Sequence, residues 1–228
     1  MLRPGIDKGL ATPLPLGLAT LGTSAFLMGM AAIFQPAAME PYLTQALLFG
    51  GLVELLAGMW CFAYGDSLAA TTFSFLGAFF GWWGVTHMTL FGAHAAALAP
   101  AAANSIALVF LVSGVVVAYL WVAAFYEFAA FNLALLFLWV GLILAAIAMF
   151  TDISALRVIG GISSIVAGLI AGYASFASIY NAMSLRDVVP IGESEELRAR
   201  VAQDEMDRIR RIHPAEHRIE REAAARSA

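Results

Sequence analysis

Between Gly9 and Leu185 the chain carries one basic residue, Arg157, and five acids, Glu40, Glu54, Asp66, Glu127 and Asp152. A stretch of that length with so few charges cannot cover itself with polar surface in water. It breaks into six apolar runs of about 20 residues, the length needed to cross a bilayer as helix. The runs are Pro15 to Phe34, Leu43 to Ala63, Ala69 to Phe91, Ala103 to Tyr126, Phe131 to Phe150 and Leu156 to Tyr180. Between them lie turn signals: Gln35-Pro36 through Glu40-Pro41, Gly65-Asp66-Ser67, Gly92 to Pro100, Glu127, and Thr151-Asp152. The composition agrees, at 61% hydrophobic, 12% charged and a mean hydropathy of +0.84. An all-α integral membrane protein with six transmembrane helices is therefore expected, and most soluble enzyme scaffolds are excluded.

Basic residues precede the first run, which invites comparison with a signal peptide, but its apolar core is longer than a typical h-region. It reads as the first span. An even number of spans places both termini on one side of the membrane. Arg3 and Lys8 before span one and Arg186 after span six put that side in the cytoplasm. The organisation expected is a cytoplasmic segment over 1–14, a six-helix body over 15–185 and a charged cytoplasmic tail over 186–228, in a multi-pass protein of the plasma membrane.

The tail holds nine of the twelve basic residues together with ten acids, so the net charge of −4 describes no one-signed surface and points to no nucleic-acid partner. Opposite charges four apart at Glu196 and Arg200, Asp204 and Arg208, and Asp207 and Arg211 suit a solvated helix broken near Pro214. Its sparse apolar residues, Leu197, Val201, Ile209 and Ile212, could touch a neighbouring tail, but a plain solvated appendage is the expectation. Small residues four apart, such as Ala25 and Gly29, Gly77 and Gly81, and Gly168 and Gly172, allow close helix approach, either inside one bundle or between subunits.

Ionisable groups in mid-membrane are costly and are functional candidates by default. Glu54 lies near the centre of span two, among Gly50, Gly51, Ala57 and Gly58. It suits a protonatable carboxyl in a transport path, a cation ligand, or a protonated acid bonded to a neighbouring backbone. His87, after the Trp82-Trp83 pair, fits an amphipathic interfacial side chain better than a proton relay, and His94 is a loop residue. No further His or Cys stands at ligand spacing from these two, so neither a metal nor a cofactor is expected. Trp121 and Trp139 suit the bundle or the lipid face. Cys61 is the single cysteine, which excludes an intramolecular disulfide. No nucleotide-binding glycine loop, HExxH, GxSxG or charged dyad is present, so nothing suggests an enzyme.

Three segments together resemble the acetate uptake transporter family, which includes bacterial succinate–acetate permeases and fungal ammonia/acetate-associated membrane proteins. Thr12-Pro13-Leu14-Pro15-Leu16-Gly17-Leu18 is similar to the signature Asn-Pro-Ala-Pro-Leu-Gly-Leu. Phe49-Gly50-Gly51 through Glu54, Ala57-Gly58 and Trp60 resembles the family's glycine pair and following Gln-x-x-Ala-Gly, with the likeness continuing from Gly65 to Phe80. Tyr173, Asn181 and Val189-Pro190-Ile191-Gly192-Glu193 fit its closing pattern. The resemblance implies a homohexamer in the lipid bilayer, with a pore in each protomer passing acetate or small dicarboxylates such as succinate, with proton coupling. It also implies a constriction at Leu21, Leu76 and Leu138, aliphatic here where relatives also use aromatics, and a substrate or proton path including Glu54, Thr12, Tyr173 and Asn181.

Two departures bear on the path. The family's Asn is Thr12, and its Gln in span two is Glu54, while an acidic position two turns later has become Cys61. Residues seven apart share a helical face, so the carboxyl has moved along one wall. A passive or proton-coupled permease for small monocarboxylates is the leading expectation. A neutral-solute channel of the urea or short-amide kind is the alternative, and a membrane scaffold or sensor acting through the tail is a third, without a binding motif behind it.

Overall fold

The computed structural model describes residues 11–34, 40–91, 95–184 and 188–192, with single positions at 199, 203 and 206. Seven α-helices carry the described body: α1 (Leu14–Phe34), α2 (Glu40–Gln45), α3 (Glu54–Tyr64), α4 (Ser67–Phe91), α5 (Ala95–Ala123), α6 (Ala129–Thr151) and α7 (Ser154–Ser184). A π-helical stretch, Ala46–Val53, joins α2 to α3, and a short 3-10 turn, Ala124–Tyr126, follows α5. Six segments are long and apolar enough to cross a membrane, with α2, the π stretch and α3 counting as one span over Pro41–Tyr64. The fold is thus all-α with six transmembrane helices. The described residues up to Gly192 belong to one compact unit, and the tail from Glu193 belongs to a second. In the second, the described Ala199, Gln203 and Met206 are helical and exposed. The charge pairs expected in the tail, Pro214, the basic Arg3, Lys8 and Arg186, and His94 all lie outside the described residues.

Local chemistry explains where α3 and α6 stop and where α4 starts. Gly65, at φ +86°, takes the left-handed conformation that ends α3. Its N–H donates to the Phe62 carbonyl and that of Asp66 to the Cys61 carbonyl, both at 3.1 Å, which is a Schellman closure. Asp66 then caps α4 by accepting the Ala69 N–H at 2.9 Å. Asp152, at φ 55°, makes the tight turn from α6 to α7. One boundary differs from the sequence reading: α5 begins at Ala95, inside the segment expected to be a loop. The alanines ahead of Pro100 are strong helix formers, and Pro100 lies early enough that it costs one ladder bond.

The spans pack in a closed circuit. α1 lies against α7, α7 against α6, α6 against α5, α5 against α4, α4 against the second span, and the second span against α1. Glycines set these approaches. A Cβ on Gly22 would stand 2.9 Å from the Gly168 carbonyl, one on Gly51 would stand 2.9 Å from Gly81 Cα, and one on Gly141 would stand 3.0 Å from the Gly160 carbonyl. With no hydrophobic drive between helices in lipid, such backbone proximity and the dispersion it allows hold the bundle. The small residues noted in the sequence are used in this way: Gly29 lies against Gly161, Gly77 against Leu55, and Gly168 against Phe26.

Candidate functional site

Spans one, three and five run in the same direction, and they meet at Phe73. The space where Gly17 of α1 lacks a side chain is filled by the Phe73 ring. On its other side Phe73 meets Phe131 of α6, with ring centroids 6.1 Å apart. Leu76 is one turn beyond Phe73, Leu21 one turn beyond Gly17, and Leu138 two turns beyond Phe131, all in the same direction along the bundle. Each of the three leucines is sealed, at 1%, 0% and 0% relative exposure for Leu21, Leu76 and Leu138.

Seven residues beyond each leucine, on the same helical face, stand Met28, Trp83 and Ala145. All three line one half-open cavity of about 520 Å³, which also takes His87, Phe110, Asp152, Arg157 and Ser164 into its wall. Two helical turns are about 10 Å, so the cavity stands that far above the leucine level. The cavity and the three buried leucines thus lie along the same faces of α1, α4 and α6.

Glu54 reaches the same depth. Gly50 packs against Ser24, where an added Cβ would come within 2.5 Å of Oγ, and Gly77 packs against Leu55, where one would lie 2.6 Å from the backbone nitrogen. Because the second span runs against α1 and α4, one turn on from Gly50 is level with Thr20 and Leu21, and the neighbour of Leu55 is level with Leu76. Glu54 is fully buried. Neither of its carboxyl oxygens has a hydrogen-bond partner, a costly state for a polar group away from water.

The backbone at this point is unusual. The Glu54 N–H bonds to the carbonyls of Gly51 and Phe49, the latter five residues back. Gly50 and Gly51 in the widened turn are poor α-helix formers, and π segments mark functional sites more often than ordinary helix does. The sequence reading expected continuous helix here. It also passed over Gln45, whose Nε2 lies 3.2 Å from Thr23 Oγ1 and 3.3 Å from Ser24 Oγ. A lone amide in an apolar run was the available signal, but a survey of ionisable groups does not register it.

The remaining candidates sit elsewhere. Thr12 Oγ1 accepts the Leu14 N–H at 3.4 Å at the start of α1. The Pro15 carbonyl accepts the Ser175 hydroxyl at 2.7 Å, tying the start of α1 to α7. Tyr173 donates its hydroxyl to the Pro190 carbonyl at 2.6 Å. Asn181 donates to the Val189 carbonyl at 2.8 Å and accepts the N–H groups of Val188 and Val189 at 3.0 and 2.8 Å. The segment they hold then caps α6: Ala129 and Ala130 donate to the carbonyls of Gly192 and Ile191, at 3.0 and 3.2 Å. Gly192 is needed there twice, for its φ of +78° and because a Cβ would lie 2.6 Å from that of Ala129.

Cys61 is buried two turns from Glu54. Trp121 and Trp139 pair with each other, centroids 5.8 Å apart, and Trp121 Nε1 donates to Asn132 at 3.2 Å. His87 Nδ1 lies 2.9 Å from the Trp83 carbonyl, and the two rings are 5.3 Å apart. Among the described residues, no three His, Cys, Asp or Glu side chains gather to hold a metal ion.

Six apolar helices long enough to cross a bilayer, closed into one bundle around a cavity, make this a multi-pass membrane protein. Residues 2–190 match the GPR1/FUN34/yaaH family, and the chain belongs to it. Acetate permease A of Emericella nidulans is 37% identical over 84 residues, covering 34% of this chain and 28% of the relative. Ammonia transport outward protein 3 of Saccharomyces cerevisiae is 38% identical over 71 residues, covering 30% of this chain and 26% of the relative. The chain thus aligns with about a quarter of the length of these relatives. In fold it is similar to the bacterial acetate channel SatP, with a TM-score of 0.72 at 23% identity over 80% of this chain and 99% of that one.

Proposed function

We propose that this protein is a permease for small monocarboxylates, with acetate as its reference substrate and a path through each protomer of a homohexamer in the plasma membrane. What supports the reading is a cavity lined by Met28, Trp83 and Ala145, two turns along the same helix faces from the buried Leu21, Leu76 and Leu138 that we take as the constriction, with the buried Glu54 at the depth of Leu21 and Leu76. A hydrated anion crosses a dry aliphatic layer only by shedding water or by taking up a proton. Glu54, buried and without a hydrogen-bond partner, is the group placed to exchange that proton, which makes the path proton-coupled. Succinate, larger and carrying a second carboxyl, passes the same layer less readily. Both termini are assigned to the cytoplasm, so the cavity opens outward. Thr12, Tyr173 and Asn181 serve the path by fixing its frame, since their polar groups hold the start of α1 and the segment after α7.

An aliphatic layer also admits small neutral molecules, and one relative is named for ammonia transport, so a neutral-solute channel of the urea or short-amide kind is the second reading. Proteoliposome flux of radiolabelled acetate, succinate and urea separates the two. Acetate flux that rises as external pH falls supports the permease. Urea flux equal to that of acetate at every pH supports the channel.

A further inference from the structure

We infer that the cavity is a capture site for the substrate's carboxylate, with the Arg157 guanidinium as its anchor. This rests on the permease reading and adds the place where the anion is first held.

Arg157 is the single basic residue between Gly9 and Leu185 and lines the cavity wall. Its guanidinium forms no ion pair or hydrogen bond among the described residues, and its Nε is buried without a partner. An arginine does not discard its charge, and with Nε buried without a partner while the side chain borders the open cavity, the guanidinium has donors to offer an anion that enters it. Its position strengthens the case. Arg157 lies in the first turn of α7, which begins at Ser154. The positive end of the helix dipole disfavours a cation at that place, yet the dipole and the guanidinium together favour an anion.

The rest of the wall suits a small monocarboxylate. Trp83, Phe110 and Met28 offer apolar surface to a short alkyl group while the guanidinium takes the carboxylate oxygens. His87 also faces the cavity, with its Nδ1 directed at the Trp83 carbonyl. Among the described residues, Asp152 is the one acid in the wall; it is exposed, makes no ion pair with Arg157, and lowers the local positive potential from outside. The cavity, at about 520 Å³, is far larger than acetate, so the anion arrives with much of its water and dehydrates only on the roughly 10 Å descent to the leucines. Capture raises occupancy above the constriction without setting the maximal rate through it.

The test uses the full chain in proteoliposomes and in detergent. Arg157→Gln is expected to raise the half-saturating acetate concentration about three- to tenfold, as loss of one partly screened charge-assisted contact should, with maximal flux nearly kept. Arg157→Lys should fall between the two, and Asp152→Asn should lower half-saturation. Stabilisation of the solubilised protein by acetate against heat gives a readout independent of flux, and Arg157→Gln should remove it. Acetate flux with unchanged half-saturation in all three variants overturns the inference and leaves the permease reading standing. Arg157-dependent stabilisation by acetate in a protein that passes none keeps the capture site and overturns the permease reading. Should Arg157→Gln fail to assemble, Arg157→Lys and Asp152→Asn decide, and no change in either overturns the inference.

Discussion

Asn181 and Val189 exchange two hydrogen bonds of 2.8 Å, the side-chain amide donating to the Val189 carbonyl and accepting the Val189 N–H. The amide stands in for a backbone partner, fastening the chain after α7 so that Ile191 and Gly192 can cap α6. Losing this clasp frees a segment and uncaps a transmembrane helix together.

Asn181→Ala should therefore lower stability by about 1–3 kcal/mol, the sum of two or three ordinary hydrogen bonds. A thermal midpoint in detergent measures it. Asn181→Asp, which sets a carboxylate oxygen against the Val189 carbonyl that the amide now donates to, should cost at least as much. If the residue only frames the path, the ratio of acetate to urea flux per folded protein stays at the wild-type value in both variants. A changed ratio would place Asn181 in the path itself.

Helix contacts make a second expectation. A Cβ on Gly58 would lie 2.5 Å from both the backbone nitrogen and the hydroxyl of Ser74, so the second span must move away from α4 to admit it. Gly58→Ala should cost about 1–3 kcal/mol as overpacking, and Gly58→Leu should abolish a monodisperse species on size exclusion. An alanine variant as stable as wild type would show that the two helices separate freely.

The spans, their number and the bundle class were legible because a bilayer demands about 20 apolar residues at a time, and charges mark the interruptions. Glu54 stood out for the same reason. What hid was anything fixed by tertiary geometry. Nothing in Gly50-Gly51 distinguishes a π turn from ordinary helix until Phe49 and Glu54 are seen to bond. Tyr173 and Asn181 were placed on the path by resemblance, and their engagement with Pro190 and Val189 depends on how the chain turns back after α7. Arg157 was visible only as the one basic residue of the body, and its place on the cavity wall comes from the packing of α7 on α1 and α6.

The constriction is open to test through Leu76, which has no exposed surface and stands one turn from the Phe73 junction. Leu76→Ala should widen solute acceptance, raising succinate flux relative to acetate by roughly tenfold, as expected when several methylenes leave a tight apolar passage. Competitive uptake of the two labelled acids gives the ratio. Unchanged flux and unchanged selectivity would remove Leu76 from the gate and leave the sealed layer as bundle core.

Glu54 carries the proton-coupling proposal. Fully buried, with both oxygens unpartnered, it lies at the depth of Leu21 and Leu76 where an anion would have to surrender its charge. If it relays the proton, Glu54→Gln keeps the size and polarity but removes the exchangeable proton. Acetate flux in that variant should vary little with external pH, while wild-type flux rises as pH falls. Assembly should be unaffected, because an amide in the same space has no charge to desolvate. Proteoliposomes with an internal pH dye report acetate-linked acidification directly, and the variant should lose most of it while urea flux is unchanged. A variant that assembles normally and keeps the full wild-type pH profile would make Glu54 a structural group, and the path would then be a passive one for the neutral acid.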